Sequence, residues 1–204
     1  MKFLVYAIGL LPVFLFLWIG ENYEAEAFIQ FDEKVSSILF GNDIITLFHY
    51  IGDTVTVMIF TLIMVFYFGV RQQNYRAILF IVATVAGGTA LNQSLKGYYE
   101  RPRPAILDQL NSFSFPSGHS MLGVLFLFTA AYLLSRLSSS KKAIIMYWVI
   151  AITLFVLIGL SRVAEGRHYA TDVLGGWSLG IAWFTLCVIW YELRERGFKK
   201  HHSS

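Results

Sequence analysis

Three short polar segments interrupt an otherwise apolar chain, and their side chains are of the types that bind and cleave phosphate esters. In chain order they are Lys96 with Arg103-Pro104, then Pro116-Ser117-Gly118-His119, then Ser161-Arg162 with His168 and Asp172. Together they hold three cations, two imidazoles, one carboxylate and a small Ser-Gly turn. This set is sufficient to hold a phosphate group and to displace its ester oxygen.

Lys96, Arg103 and Arg162 are the candidate phosphate ligands. An arginine fork matches two phosphate oxygens at once, and a lysine adds a compact positive charge. The same cations would stabilise the charge that spreads over the equatorial oxygens in the transition state. The alternative is that such side chains extend to the membrane interface, which we expect for Arg101 and Arg167.

Ser117 and Gly118 directly precede an apolar run, so we expect them at the start of a helix. Free backbone N–H groups at a helix start favour anions, and glycine allows a ligand to approach the backbone closely. The Ser117 hydroxyl adds a further donor. An ordinary helix cap is the alternative, and the histidine at position 119 favours the phosphate interpretation.

His168 and Asp172 are four residues apart, so on a helix they share one face. A carboxylate that accepts the Nδ1–H of the imidazole leaves Nε2 free to attack phosphorus. We predict that His168 forms a phosphohistidine, while His119 protonates the leaving group and then activates water. Histidine and aspartate can also bind zinc, but the neighbouring cations disfavour a divalent ion. We therefore predict neither a metal nor another cofactor.

The composition predicts an all-α membrane protein. Of the 204 residues, 56% are hydrophobic and 14% are charged, which is more apolar surface than a soluble domain of this length can bury. A bilayer requires about 20 apolar residues per helix, and six runs are close to or above this length. The predicted spans are Phe3–Gly20, Ile44–Val70, Ala77–Leu95, Met121–Leu137, Ala143–Leu160 and Val173–Tyr191. Gly176 and Gly180 form a small-residue pair that allows close helix contact.

The charge distribution predicts the orientation in the membrane. Six spans place both termini on one side, and that side holds ten of the sixteen basic residues: Lys2, Arg71, Arg76, Arg136, Lys141, Lys142, Arg194, Arg196, Lys199 and Lys200. Because short cytoplasmic segments are enriched in basic residues, both termini are predicted to be cytoplasmic and the motif segments extracytoplasmic. The same bias explains the net charge of +3 without nucleic-acid binding. The sequence carries no signal for an oligomeric state.

Two further regions carry polar residues beside apolar ones. Residues 22–40 have apolar side chains at helical spacing and predict a helix in the membrane interface, which either lines a lipid access route or caps the bundle. His49 and Asp53 lie in the second predicted span, where we expect supporting roles rather than substrate contact. Glu165 is predicted to be a solvated loop charge.

The pattern K-x6-RP, PSGH and SR-x5-H-x3-D resembles the type 2 phosphatidic acid phosphatase (PAP2) family, whose relatives include the vanadium haloperoxidases, and every position is matched. The resemblance implies a haloperoxidase-like bundle of six transmembrane helices. With no internal repeat or linker, we expect one domain over residues 1–204, with its motif-bearing core at 77–191.

The resemblance also implies a reaction. The expected activity is metal-independent hydrolysis of a lipid phosphate or pyrophosphate in the membrane, with phosphatidylglycerophosphate and undecaprenyl pyrophosphate as candidate substrates. The roles predicted above match those that the family assigns to the same motif positions. Two alternatives remain: a phosphotransferase that uses a lipid or sugar acceptor, and a non-catalytic membrane transporter.

Overall fold

Every element that the structure describes between residues 2 and 202 is a helix. This computed structural model describes the backbone of residues 2–202 and the side-chain surroundings of residues 10–194. The helices are α1 (Lys2–Asn22), α2 (Glu26–Leu39), α3 (Asp43–Thr46), α4 (His49–Gly52), α5 (Thr54–Phe66, continued by a π-helical turn at Tyr67–Arg71), α6 (Tyr75–Tyr99), α7 (Gly118–Leu137), α8 (Lys141–Ala164) and α9 (Ala170–His202). The predicted all-α architecture is therefore confirmed.

Five of these helices are long and apolar enough to cross a membrane: Thr54–Arg71, Tyr75–Tyr99, Gly118–Leu137, Lys141–Ala164 and Ala170–Arg194. Large apolar side chains such as Leu62 on α5 and Ile145 on α8 are more than 60% exposed. An apolar surface of this kind suits lipid rather than water, and the protein is a multi-pass membrane protein. In α1, the described residues Leu10–Asn22 form a shorter apolar helix, so six spans remain a prediction. The side chains of the predicted cytoplasmic residues Lys2, Arg196, Lys199 and Lys200 lie outside the described residues.

The predicted start of the second span was wrong. The prediction began at Ile44, whereas residues 43–52 form the two short helices α3 and α4, and the continuous helix begins at Thr54. Asp53 is extended and its Oδ2 accepts a hydrogen bond from the Val55 N–H at 3.2 Å. An aspartate that satisfies a free N–H in this way is a strong helix start.

The helix predicted within residues 22–40 is present as α2, and it packs against α8 and α9. Val35 and Leu39 contact a cluster formed by Val163, Ala170 and Val173. Asp32 of α2 is only 5% exposed, although a charged side chain of an interfacial helix is expected to face water. The contacts of α2 with the ends of α8 and α9 support the capping role. Because α2 also lines a cavity of about 670 Å³ that reaches His168, the lipid access route stays a prediction.

Small residues bring α7 close to its neighbours and so fix the position of the PSGH segment. A Cβ added to Gly176 would lie 2.6 Å from the Ser117 carbonyl oxygen, and one on Gly180 would lie 3.1 Å from the Met121 carbonyl oxygen. The first distance is too short for a larger side chain, and the second is tighter than most Cβ contacts. The predicted close helix contact at Gly176 and Gly180 is therefore confirmed, and it joins α9 to α7. Gly88 gives α6 a similar close approach to Leu125 of α7.

Candidate active site

The three polar segments meet at one end of the helix bundle. Lys96 lies in the last turn of α6, and Arg162 in the last turn of α8. The α7 helix begins at Gly118, and Asp172 lies in the first turn of α9. Because α6 and α8 end where α7 and α9 begin, residues far apart in sequence become neighbours.

Most of the predicted site residues line one cavity of about 750 Å³. Its polar part is formed by Lys96, Arg103, Gly118, His119, Arg162 and His168. Its apolar part is formed by side chains of α5 and α6, such as Val57, Met58 and Val85. Ser117 and Asp172 are both fully buried, and the Ser117 hydroxyl accepts a hydrogen bond from Ser120 at 2.9 Å. The polar end thus continues directly into a groove between two membrane helices.

Hydrogen bonds fix the orientation of the His168 ring. Its Nε2 lies 3.1 Å from NH1 of Arg103, and its Nδ1 lies 3.5 Å from Oδ2 of Asp172. An arginine can only donate, so Nε2 is the unprotonated nitrogen of the neutral ring and Nδ1 carries the proton toward Asp172. Burial lowers the pKa of His168 well below its ordinary value, and the contact with Asp172 opposes this shift only in part. The imidazole is therefore neutral at physiological pH.

The Asp172 carboxylate is held by several donors besides His168. Oδ2 accepts hydrogen bonds from the Ser114 hydroxyl and from the Tyr169 N–H, the latter at 2.8 Å. Oδ1 accepts from NH1 of Arg101 at 2.7 Å. A buried carboxylate requires such partners to remain charged, and here they also fix its direction.

Two of the three predicted phosphate ligands are held by backbone carbonyl groups. The Lys96 ammonium donates to the carbonyl groups of Phe113 and Ser114. Arg103 donates from Nε to the Ser112 carbonyl and from NH1 to the Arg167 carbonyl, both at 2.7 Å. Neutral acceptors orient these cations without cancelling their charge, so the charge remains available to an anion in the cavity.

Arg162 is bound differently, and it has an unused donor. It is 4% exposed, and its NH1 donates to Glu165. Among the described residues, its buried Nε has no hydrogen-bond partner. A buried N–H that lacks a partner is costly, and because Arg162 lines the cavity, an anionic ligand there would satisfy it.

Glu165 connects Arg162 to His49, and the sequence-based expectation for Glu165 was wrong. Its side chain is 15% exposed and its Oε1 lies 2.7 Å from Nδ1 of His49. Glu165 is therefore not a solvated loop charge but part of a chain that reaches α4. The other residue predicted for a supporting role, Asp53, places Oδ1 at 3.9 Å from Nε2 of His119.

Arg101 is the second residue for which the expectation was wrong. It was expected at the membrane interface, but it is 6% exposed and forms ion pairs with both Asp32 and Asp172. Arg167, by contrast, is partly exposed and its NH1 donates to the Asp108 carbonyl in the loop. Arg101 and Asp32 are thus residues near the site that the motif pattern did not indicate, as are the Asp172 partners Ser114 and Tyr169.

The fold and the site define a multi-pass helical membrane protein with a cation-lined cavity and two histidines. A sequence profile of the PAP2 superfamily matches residues 77–196. The chain therefore belongs to the PAP2 superfamily, as its motifs predicted.

Individual relatives agree with this assignment. The chain is 48% identical over 102 residues to phosphatidylglycerophosphatase B of Bacillus subtilis, which covers 47% of this chain and 49% of that protein. It is 27% identical over 118 residues to undecaprenyl-diphosphatase of Sulfolobus acidocaldarius, which covers 56% and 52%. These alignments span about half the length of each relative.

A solved structure extends the likeness to most of the fold. The crystal structure of a transmembrane PAP2 type phosphatidylglycerolphosphate phosphatase from Bacillus subtilis superposes with a TM-score of 0.76 at 32% identity. The match covers 89% of this chain and 96% of that chain. The likeness therefore includes the helices outside the motif-bearing core.

Proposed function

We propose that this protein is a membrane lipid phosphatase that hydrolyses a phosphate or pyrophosphate ester of a membrane lipid. The observation that carries the proposal is the single cavity in which Lys96, Arg103 and Arg162 adjoin an apolar groove between α5 and α6. A phosphate group suits the cationic end, and an acyl or isoprenoid chain suits the groove. A soluble phosphate ester would leave that groove without a function.

The proposed reaction has two displacements. In the first, the phosphate takes over the hydrogen bond from Arg103 that Nε2 of His168 accepts in this structure, which frees the Nε2 lone pair. Nε2 then attacks phosphorus in line, the N–P bond forms and the P–O bond to the lipid breaks, while His119 donates a proton to the leaving oxygen. In the second, His119 takes a proton from water, and the resulting hydroxide attacks the phosphohistidine. The N–P bond then breaks, inorganic phosphate leaves, and both histidines return to their starting protonation states.

Lys96, Arg103 and Arg162 are proposed to neutralise the phosphate and the pentacoordinate transition state. Such preorganised charges act most strongly where water is excluded. The backbone at Gly118, where α7 begins, adds N–H groups at the positive end of a helix. For Ser117 we propose a contribution through the backbone of this turn, because its hydroxyl is buried against Ser120. The guanidinium and ammonium groups supply the charge that a metal ion supplies in other phosphatases, so we propose a metal-independent reaction.

We propose that the active site faces away from the cytoplasm. The support is the distribution of basic residues, ten of which lie in segments at the opposite ends of the predicted spans. The bilayer would then present the lipid phosphate in the outer leaflet. A reporter enzyme fused to the carboxyl terminus should be active only in the cytoplasm, and activity only outside the cell would contradict this orientation.

The names of the relatives suggest two substrates, phosphatidylglycerophosphate and undecaprenyl diphosphate. The experiment that tests the proposal measures inorganic phosphate released from a panel of purified lipid phosphates by the wild type and by His168→Ala. Release by the wild type alone, without an added acceptor, supports hydrolysis. Product formed only when a lipid or sugar alcohol is added would indicate a phosphotransferase, and equal release by both proteins would refute the proposal.

A further inference from the structure

Arg101 occupies a variable position of the K-x6-RP segment and is not one of its motif residues, yet its guanidinium is buried between two carboxylates. NH1 donates to Oδ1 of Asp172 at 2.7 Å, and NH2 donates to Oδ2 of Asp32 at 3.0 Å. The carboxylate of Asp172 is fully buried, and that of Asp32 is 5% exposed. One positive charge is therefore shared by a carboxylate on α9 and a carboxylate on α2.

Asp32 also binds the first turn of α9 directly. Its Oδ1 accepts the Thr171 N–H and its Oδ2 accepts the Thr171 hydroxyl, both at 2.7 Å. Thr171 is the residue before Asp172, and its hydroxyl also accepts from NH1 of Arg101 at 2.7 Å. The α2 helix is thus attached to the turn that carries the carboxylate facing His168.

Two aromatic rings pack against the Arg101 guanidinium. The Arg101 carbon Cζ lies 4.4 Å from the ring centre of Tyr23 and 4.2 Å from that of Tyr169. Cation–π contacts at this distance favour one placement of the planar group. With two ion pairs and two rings, the arginine is far more constrained than an interfacial residue would be.

We propose that Arg101, held by Asp32, is a positioning residue that sets both the direction and the effective charge of Asp172, and through Asp172 the orientation and proton affinity of His168. The inference rests on the proposed function, because it assigns a role within the same reaction. Arg101 is not in the lining of the cavity that holds Lys96, Arg103 and Arg162, but it borders a second cavity of about 670 Å³ beside α2 that also reaches His168. Because its NH1 and NH2 groups donate to Asp172 and Asp32, we assign its effect to Asp172. The amphipathic helix α2 is then part of the catalytic framework and not only a cover for the bundle.

Because Arg101 shares one positive charge between Asp172 and Asp32, we expect replacing Arg101 and replacing Asp32 to have opposite effects on His168. Without Arg101, the negative charge of Asp172 acts on His168 undiminished and favours the protonated ring. Without the charge of Asp32, Arg101 neutralises Asp172 more completely and favours the neutral ring. The other charged or titratable groups that face His168 are Lys96 from α6, Arg103 from the loop and His119 from α7, and all three are unchanged in both variants.

The test compares Arg101→Gln with Asp32→Asn, using the pH profile of kcat with a saturating lipid phosphate. Arg101→Gln should lower kcat by roughly 10- to 100-fold, which is the range for groups that orient a functional side chain. The same substitution should move the acidic limb of the pH profile to higher pH by about one unit. Asp32→Asn should move the same limb downward with a smaller loss of kcat. Because all variants use one substrate, the ionisation of its phosphate cancels in the comparison.

Glu33→Gln is the matched control, since it removes the same charge from the neighbouring exposed position of α2 and should leave kcat and the profile unchanged. Arg101→Lys retains the charge without the fork, so the acidic limb should stay near the wild-type position while kcat recovers only in part. If Arg101→Gln does not fold, as judged by gel filtration and circular dichroism, Arg101→Lys and Asp32→Asn decide the question.

The outcomes separate this inference from the proposed function. If the acidic limb moves in the same direction in Arg101→Gln and Asp32→Asn, or moves in neither, the positioning role is overturned. The proposed function would still stand in that case, provided that His168→Ala is inactive. Full activity of His168→Ala would overturn the proposed function itself. Opposite shifts of the acidic limb in the two variants, together with no effect of Glu33→Gln, support the positioning role of Arg101.

Discussion

Each of the two proposed catalytic histidines faces a carboxylate, but the two pairs are built differently. His168 and Asp172 are 2% and 0% exposed, whereas His119 and Asp53 are 23% and 45% exposed. Asp172 is held by three donors besides the imidazole. Asp53 caps the start of α5 and lies at 3.9 Å from the imidazole of His119. One pair is fixed within the bundle, and the other lies at its edge.

The difference follows from what each ring must do in the proposed reaction. A nucleophile attacks from one direction, so a fixed ring gains from orientation. A general acid that later becomes a general base serves a leaving oxygen and then a water, which favours a ring that water can reach. The helix that Asp53 caps has few buried positions in its span, which is consistent with a less constrained pair. The predictions below test this contrast.

Replacing the fixed histidine should have the largest effect. We expect His168→Ala to lower kcat by about 10⁶-fold, as loss of a nucleophile does in other covalent mechanisms. Quenching with ³²P-labelled lipid should give an acid-labile phosphoenzyme with the wild type and with Glu33→Gln but not with His168→Ala. Labelled phosphoenzyme in His168→Ala would place the nucleophile elsewhere.

The two carboxylates should respond very differently to the same change. Asp172→Asn should lower kcat by about 10⁴-fold, because an amide no longer stabilises the required tautomer and its charge. Asp53→Asn should reduce kcat by less than about tenfold, since asparagine is also a good helix cap and the contact with His119 is long. The measurement is kcat for the purified variants in the same detergent. Equal losses would contradict the contrast between the pairs.

The loss of kcat in His119→Ala should lie between those of Asp172→Asn and Asp53→Asn, and its size should depend on the leaving group of the substrate. A positioned general acid contributes about 10²- to 10⁴-fold, and an acidic leaving group needs less help from it. The comparison is between a phenyl phosphate with an electron-withdrawing substituent and an alkyl phosphate, each with wild type and variant. A loss that is the same for both substrates would remove His119 from the acid role.

Much of the helical fold and most of the site residues were predictable from sequence, because hydropathy and the three motif segments are local signals. The pairing of His119 with Asp53 was not predicted. The motif residues could be assigned to the ends of spans, and the spans brought them together. The start of α5 was missed because residues 44–51 are nearly as apolar as a span. The signal was Gly52 followed by Asp53, a glycine and a capping residue within the run.

The partners of Asp172 were harder to predict, since Arg101 and Asp32 are 69 residues apart. No local pattern joins them, and only the packing of α2 on α9 does. Asp32 nevertheless occupies the same helical stripe as Phe28, Val35 and Leu39, which pack into the core. A charged residue in an apolar stripe indicates a buried ion pair. Glu165 was also detectable, because it follows Arg162 by three residues, at the carboxyl end of α8.

The fixed pair should also determine the low-pH behaviour. Because burial lowers the pKa of His168 to about 3, the ring stays neutral as the pH falls below the usual histidine value of about 6.5. Activity that needs neutral His168 is present above the lowered pKa and is lost only as the pH falls through it. We expect the acidic limb of kcat/KM, corrected for the ionisation of the substrate phosphate, to lie well below pH 6.5. A limb at the ordinary histidine value would mean that the ring is not buried in the free enzyme.

The smallest expected effect is that of chelation, and it tests both pairs at once. Histidine and carboxylate side chains are common zinc ligands, so a metal ion bound by either pair is the alternative that chelation tests. In the proposed mechanism Lys96, Arg103 and Arg162 provide the positive charge instead, and excess chelator should leave kcat unchanged. Vanadate, which mimics phosphate in its transition state, should inhibit with or without chelator. Loss of activity in chelator, restored by one added metal, would replace the acid–nucleophile contrast with a metal site.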